Sequence, residues 1–259
     1  MQPDEREVVI RARDLSVGYG QTIIQQDLNF EVRRGEVFVI LGGSGCGKST
    51  LLKHMIGLQD PISGSIEING RQFAGASADE RREIQAGIGV TYQSGALFGS
   101  MTVLQNVRLA LQEFTSLPPN AIDLIARMKL GLVGLSGTED QLPAEISGGM
   151  RKRAAIARAM ALDPAILFLD EPQAGLDPIT SAELDQLILS LARDLGITFV
   201  IVTHELASVF DIADRVLFLD KERRTAIAIG NPHDLKRDST DPVIHSFFHR
   251  AVISSRSDA

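Results

Sequence analysis

The chain reads as an α/β fold built on a largely parallel sheet, and two observations carry that reading. Apolar runs rich in β-branched residues recur at 37–41, 166–169 and 197–202, and such runs suit strands covered on both faces. Each borders a stretch of helical period, at 49–56, 179–195 and 206–212. Alternation of this kind is the pattern of βα units.

Residues 8–17 and 23–32 differ, because they alternate apolar with polar and are joined by Gly18-Tyr19-Gly20; this predicts an N-terminal antiparallel β lobe. Between Gln93 and Pro164 the strand signal gives way to helical patterns, with Pro118-Pro119-Asn120 as a helix start and 131–138 as loop. An α-helical subdomain, about 94–163, is therefore expected as an insert in the core. After Asp214 two short strands and helices at 231–236 and 242–251 are expected, then a polar tail that frays. The division expected is one domain over 1–240 and a C-terminal helix and tail over 241–259.

With 259 residues, 44% of them hydrophobic and 23% charged, the composition is globular. A formal net charge of -7 excludes a broad basic footprint for nucleic acid. Apolar runs such as 37–41 and 199–202 fall far short of the roughly 20 residues a spanning helix needs. The polar start, 1–6, does not read as a secretory signal, and the single cysteine, Cys46, cannot form an internal disulfide. Both point to the reducing cytosol.

Gly42-Gly43-Ser44-Gly45-Cys46-Gly47-Lys48-Ser49 fits G-x-x-x-x-G-K-[ST] and lies between an expected strand and helix. Glycines there let successive backbone N–H groups turn toward phosphate oxygens, and the helix N-terminus adds positive dipole. Lys48 can neutralise β/γ charge and Ser49 can ligate Mg²⁺. The strand at 165–169 runs into Asp170-Glu171, two acids at a carboxyl end where α/β sheets bind ligands. Asp170 suits a Mg²⁺ shell and Glu171 an attacking water; alone the pair would read as the start of an exposed loop. Ser147-Gly148-Gly149 precedes a helix of small residues, so bare amides offer a second anion site, against the alternatives of a Ser147 cap or a hinge.

In these motifs the chain resembles the nucleotide-binding subunit of ATP-binding cassette (ABC) transporters, over nearly all of 8–240. The resemblance implies a P-loop NTPase (RecA-like) core that hydrolyses ATP with Mg²⁺. It makes 42–49 the Walker A loop, with Thr50 following, Gln93 the Q-loop glutamine, Ser147-Gly148-Gly149 the signature core and 165–170 the Walker B strand. Glu171 matches the catalytic glutamate, Ala174-Gly175-Leu176-Asp177 the D-loop and His204 the switch histidine, while Tyr19 lies where an aromatic stacks on adenine. Ser49, Gln93 and Asp170 become the Mg²⁺ set. His54, His233, His245 and His249 lack such company and read as packing or surface residues. In that family two chains meet head to tail, each ATP lying between one Walker A loop and the other chain's signature.

Four runs, Gln93-Ser94-Gly95-Ala96-Leu97-Phe98 with Met101-Thr102-Val103 and Asn106-Val107, 147–153, 175–181 and 51–58, are similar to those of Mla-type and mammalian-cell-entry-type ATPases, which move phospholipids or other lipids. The partners implied are a second copy, an integral membrane permease, a STAS-type small subunit and a mammalian-cell-entry-type lipid-binding protein, with the chain peripheral on the cytoplasmic face of the inner membrane. A polar-solute importer of the amino-acid type, or a non-transport ABC ATPase, are the alternatives. Arg151-Lys152-Arg153 reads equally as a solvated basic face. Two positions depart from the pattern: Gln173 stands where a Thr or another small or apolar residue is common, and Cys46 puts in the phosphate loop a thiol that either fills a tight space or invites oxidation.

Overall fold

The computed structural model describes residues 6–249. The first residues, the end of the last expected helix and the polar tail lie outside that range. Strands β1 (Val8–Tyr19) and β2 (Thr22–Arg33) pair antiparallel; β1 also pairs with β4 (Ser63–Ile68), and β4 with the short β5 (Arg71–Gln72). Alternation turns Ile10, Ala12, Leu15 and Val17 of β1 inward.

A second sheet has six strands: β3 (Val37–Gly42), β6 (Ile88–Thr91), β7 (Ile166–Asp170), β8 (Thr198–Val202), β9 (Arg215–Asp220) and β10 (Thr225–Gly230), in the order β10-β9-β3-β8-β7-β6. All neighbours are parallel except β10 against β9. Its central strands are apolar along nearly their whole length because each face meets a core. Val39, Leu41, Leu167, Leu169, Phe199 and Ile201 pack on the helical side, and Phe38, Ile40, Phe168, Val200 and Val202 on the side of the antiparallel lobe.

Helix α1 (Lys48–Met55) follows β3, and α2 (Ala78–Ala86) lies between the sheets in sequence. The sequence pattern left 63–86 without elements, yet Ser77 and Glu80 close a reciprocal capping box at the start of α2. Helices α3 (Val103–Phe114), α4 (Pro119–Leu132) and α5 (Gly148–Ala159) form the inserted layer, where Val107, Leu111, Ala126, Leu130 and Ala154 share one core. Then come α6 (Pro178–Leu195) and α7 (Leu206–Ile212), with α8 (Pro232–Asp238) and α9 (Pro242–His249) as the last described elements. Helix α6 is bounded by local chemistry: Asp177 caps it, Pro178 opens it and Gly196, at φ 66°, ends it.

Candidate active site

Sheet register assembles the site. Asp170 of β7 lies opposite Val202 of β8, and Ile40 of β3 opposite the same Val202, so the loops leaving these strands emerge side by side at one carboxyl edge. Thr91 of β6 pairs with Leu169, bringing Gln93 to that edge too. Gly42, Gly43, Ser44, Gly45, Gly47, Lys48, Ser49, Thr50, Gln93, Asp170, Glu171 and His204 line one cleft of about 540 Å³.

The glycine loop is shaped by backbone that only glycine enters easily. Gly42 has φ 149° and a Cβ there would lie 2.4 Å from Leu219 O; Gly47 has φ 101° and a Cβ would lie 2.6 Å from Ile24 Cγ2. Helix α1 has Gly47 as its cap, no side-chain cap bond and no acid in its first turn, so its amide end keeps its positive partial charge for an anion. Lys48 Nζ donates to Gly42 O at 2.9 Å and Gly43 O at 3.2 Å, which keeps the ammonium against the loop. Cys46 is buried and burial pushes its thiol up, so it fills space beneath the loop and is unsuited to thiolate chemistry.

Ser49 Oγ lies 3.5 Å from Asp170 Oδ1, an all-oxygen donor pair. Burial first, then the charge of Glu171, pushes the Asp170 carboxyl up, and a cation beside it would offset both causes. Glu171 sits at φ 48°, rare for a side chain of its kind. Its amide donates to Val202 O at 2.8 Å. One carboxylate oxygen, Oε1, meets His204 Nδ1 at 2.9 Å, while the other, Oε2, is buried without a partner among the described residues. Such an acceptor, held in strained backbone at a cleft wall, is ready for a proton from a bound water.

Other residues singled out in the sequence stand apart from this cleft. Tyr19 is half exposed, its hydroxyl 3.3 Å from Thr50 Oγ1 and 3.5 Å from Lys53 Nζ. The Thr50 contact is the main reason its phenol is lowered. Ser147, Gly148 and Gly149 lie at the start of α5, where Ser147 Oγ accepts from Met150 N at 3.2 Å. Asp177 Oδ1 accepts from Ile179 N and Thr180 N, and the Thr180 contacts lower its carboxyl. Within one chain these two are helix caps.

Three side chains, Gln25, Lys152 and Arg158, brace the site in ways the sequence pattern did not show. Buried Gln25 of β2 donates from Nε2 to Cys46 O at 2.7 Å and Asp220 O at 2.8 Å, tying the antiparallel lobe to the glycine loop. Lys152 is not on a solvated face: its Nζ donates to Gln93 O and, at 3.3 Å, to Glu171 O, and burial lowers its pKa. Arg158 donates to Ala96 O at 2.7 Å and Gly95 O at 3.2 Å, so α5 grips the whole Gln93 turn. A buried polar residue in an alternating strand and a lysine among arginines were the only signals on offer.

A parallel sheet with a glycine loop and a carboxylate–imidazole pair at one edge is the architecture of a P-loop nucleotide hydrolase. The ABC transporter family model matches residues 25–174, more than half of the chain. Among curated relatives, the probable ribonucleotide transport ATP-binding protein mkl of Mycobacterium leprae is 41% identical over 242 residues, covering 93% of this chain and 69% of that protein. The intermembrane phospholipid transport system ATP-binding protein MlaF of Haemophilus influenzae is 38% identical over 227 residues, covering 88% and 85%. A dimeric solved structure, a post-hydrolysis state of the ATP-binding cassette MJ0796 bound to ADP and Pi, superposes with a TM-score of 0.76 at 27% identity, covering 86% of this chain and 98% of that one. The chain belongs to the ABC transporter family. It is the ATP-hydrolysing subunit of such a transporter, converting ATP and water to ADP and phosphate.

Proposed function

We propose that two copies of the chain close head to tail on Mg-ATP and press their helical inserts on a membrane permease that moves phospholipid. The observation that carries the hydrolytic part is the 2.9 Å contact of Glu171 with His204, with Glu171 Oε2 left as a buried acceptor. Glu171 takes the proton of the attacking water, and His204 orients Glu171 and holds the terminal phosphate. Lys48 and the loop amides neutralise charge that builds on the phosphoryl group, joined by the signature amides Ser147 to Gly149 of the second copy. Tyr19 stacks on the base, and Asp177 stays in the cap of α6 near the second copy. Ser49 and Asp170 would hold Mg²⁺ with Gln93 beside them; the ion would supply positive charge to the phosphate oxygens, and a sparse oxygen set is how Mg²⁺ is usually held on nucleotides.

Glu171→Gln is expected to keep ATP binding and to lower kcat by about 10²–10⁴-fold. Steady-state ATPase activity close to wild type in that variant overturns the assigned role.

Lipid as cargo rests on the Mla-type runs of the sequence and on the likeness to MlaF. The name of mkl carries a ribonucleotide instead, so cargo is decided by the permease. Purification from detergent-solubilised membranes is expected to bring down a lipid permease with a STAS-type small subunit and a mammalian-cell-entry-type protein, placing the chain on the cytoplasmic face of the inner membrane. Recovery of an amino-acid or nucleotide permease overturns the cargo and leaves the ATPase reading intact.

A further inference from the structure

We infer that Gln173, through a buried polar knot with Asp185 and Ser208, is a positioning residue that sets the Glu171–His204 pair for hydrolysis. Gln173 lies two residues beyond Glu171, in the turn between β7 and α6. It is 3% exposed, as are Asp185 of α6 and Ser208 of α7. Gln173 Nε2 donates to Asp185 Oδ1 at 2.8 Å and to Ser208 Oγ at 2.7 Å, and Ser208 Oγ donates to Asp185 Oδ1 at 2.6 Å. On its other side, Gln173 Oε1 lies 3.5 Å from Thr203 Oγ1, which accepts from Glu205 N at 3.1 Å. One amide therefore joins the turn that carries Glu171 to the turn that carries His204, with α6 and α7 as anchors.

The knot accounts for a polar side chain at this buried position. Buried polar groups cost stability unless paired, and a fully paired network holds one geometry where apolar packing tolerates several. Burial pushes the Asp185 carboxyl up, and the Ser208 and Gln173 donors draw it back. Glu171 needs such support, because its left-handed backbone at φ 48° must be held from outside.

The inference rests on the reading that Glu171 and His204 act together, so both are tested in one series on the full chain assembled with its permease. Gln173→Leu is expected to lower kcat by about 10–100-fold with the KM for ATP within about twofold, the signature of lost positioning. Asp185→Asn, which keeps the Oδ1 acceptor, should hold kcat close to wild type, and Asp185→Leu should not. The double variant Gln173→Leu/Asp185→Leu removes both partners and should regain thermal stability without regaining kcat. If kcat returns together with stability in the double variant, or if Gln173→Leu alone leaves kcat unchanged while Glu171→Gln abolishes turnover, the positioning role is wrong. Should Glu171→Gln itself turn over normally, the hydrolytic reading fails first, and the two failures are thereby told apart.

Discussion

Glu36 illustrates how a single buried charge writes itself into stability. Its carboxylate is fully buried at the start of β3, accepting from Arg33 N at 2.7 Å and Arg215 Nη1 at 3.3 Å, with Arg6 at 3.9 Å. Burial raises its pKa against the pull of the Arg33 amide, Arg215 and Arg6, and Asp214 adds to the rise. A carboxyl raised by folding contributes fully below its unfolded pKa, about 4.3, and that contribution is lost as pH climbs through the folded value. Wild-type stability is therefore expected to fall relative to Glu36→Gln as pH rises from about 4 toward neutrality. Urea midpoints across that range measure it; a difference that is flat or that runs the other way contradicts the desolvation account. Gln25 and Lys152 belong to the same scale. Their partners are backbone carbonyls far along the chain, Asp220 O for Gln25 and Gln93 O for Lys152, so no local pattern exposes them.

Elements were legible where their chemistry is local. The apolar runs at β3, β7 and β8 and the Pro119 start of α4 can all be read from neighbouring residues. Strands β4 and β5 were not, because six and two residues with glycine, serine and charge among them pair only through β1 and each other. Helix α9 is held by aromatic contacts of the same long-range kind: Phe248 packs 5.5 Å from Phe210 and 6.1 Å from Phe218, and Phe247 meets Phe218 edge-on at 4.9 Å. Phe218 belongs to β9, which borders the glycine-loop strand. Phe248→Ala is expected to destabilise the chain by about 3 kcal/mol, seen as a lower urea midpoint at unchanged slope. A loss under about 1 kcal/mol would mean that the α9 contacts carry little of the core, since deleting a buried aromatic ordinarily costs several times that.

At the scale of the whole molecule, one cleft holds the phosphate loop, the acids and His204, while Ser147 to Gly149 stand outside it. In the head-to-tail pair proposed above, those amides would meet the phosphate held by the second copy. Ser147→Arg removes a cap bond to Met150 N, a loss of about 1 kcal/mol that leaves the fold intact. The bulky cation should still block closure of the pair. ATPase activity is expected to vanish while a single chain still binds nucleotide, and a Glu171→Gln background should show no ATP-dependent dimer on gel filtration. An unchanged ATPase rate in Ser147→Arg rules out the shared site.

The amino-acid sequence alone determined the α/β order, the glycine loop, the acidic strand end and the resemblance to ABC subunits, because each is written in residues adjacent along the chain. Tertiary structure decided what those residues do to one another. It turned Lys152 inward, buried Cys46 beyond easy reaction, left Glu171 Oε2 without a partner among the described residues and made Gln173 the link between two turns. The physical reason is range: caps, turns and hydrophobic period act over a few residues, whereas a buried polar group is satisfied by whatever the folded sheet brings near it.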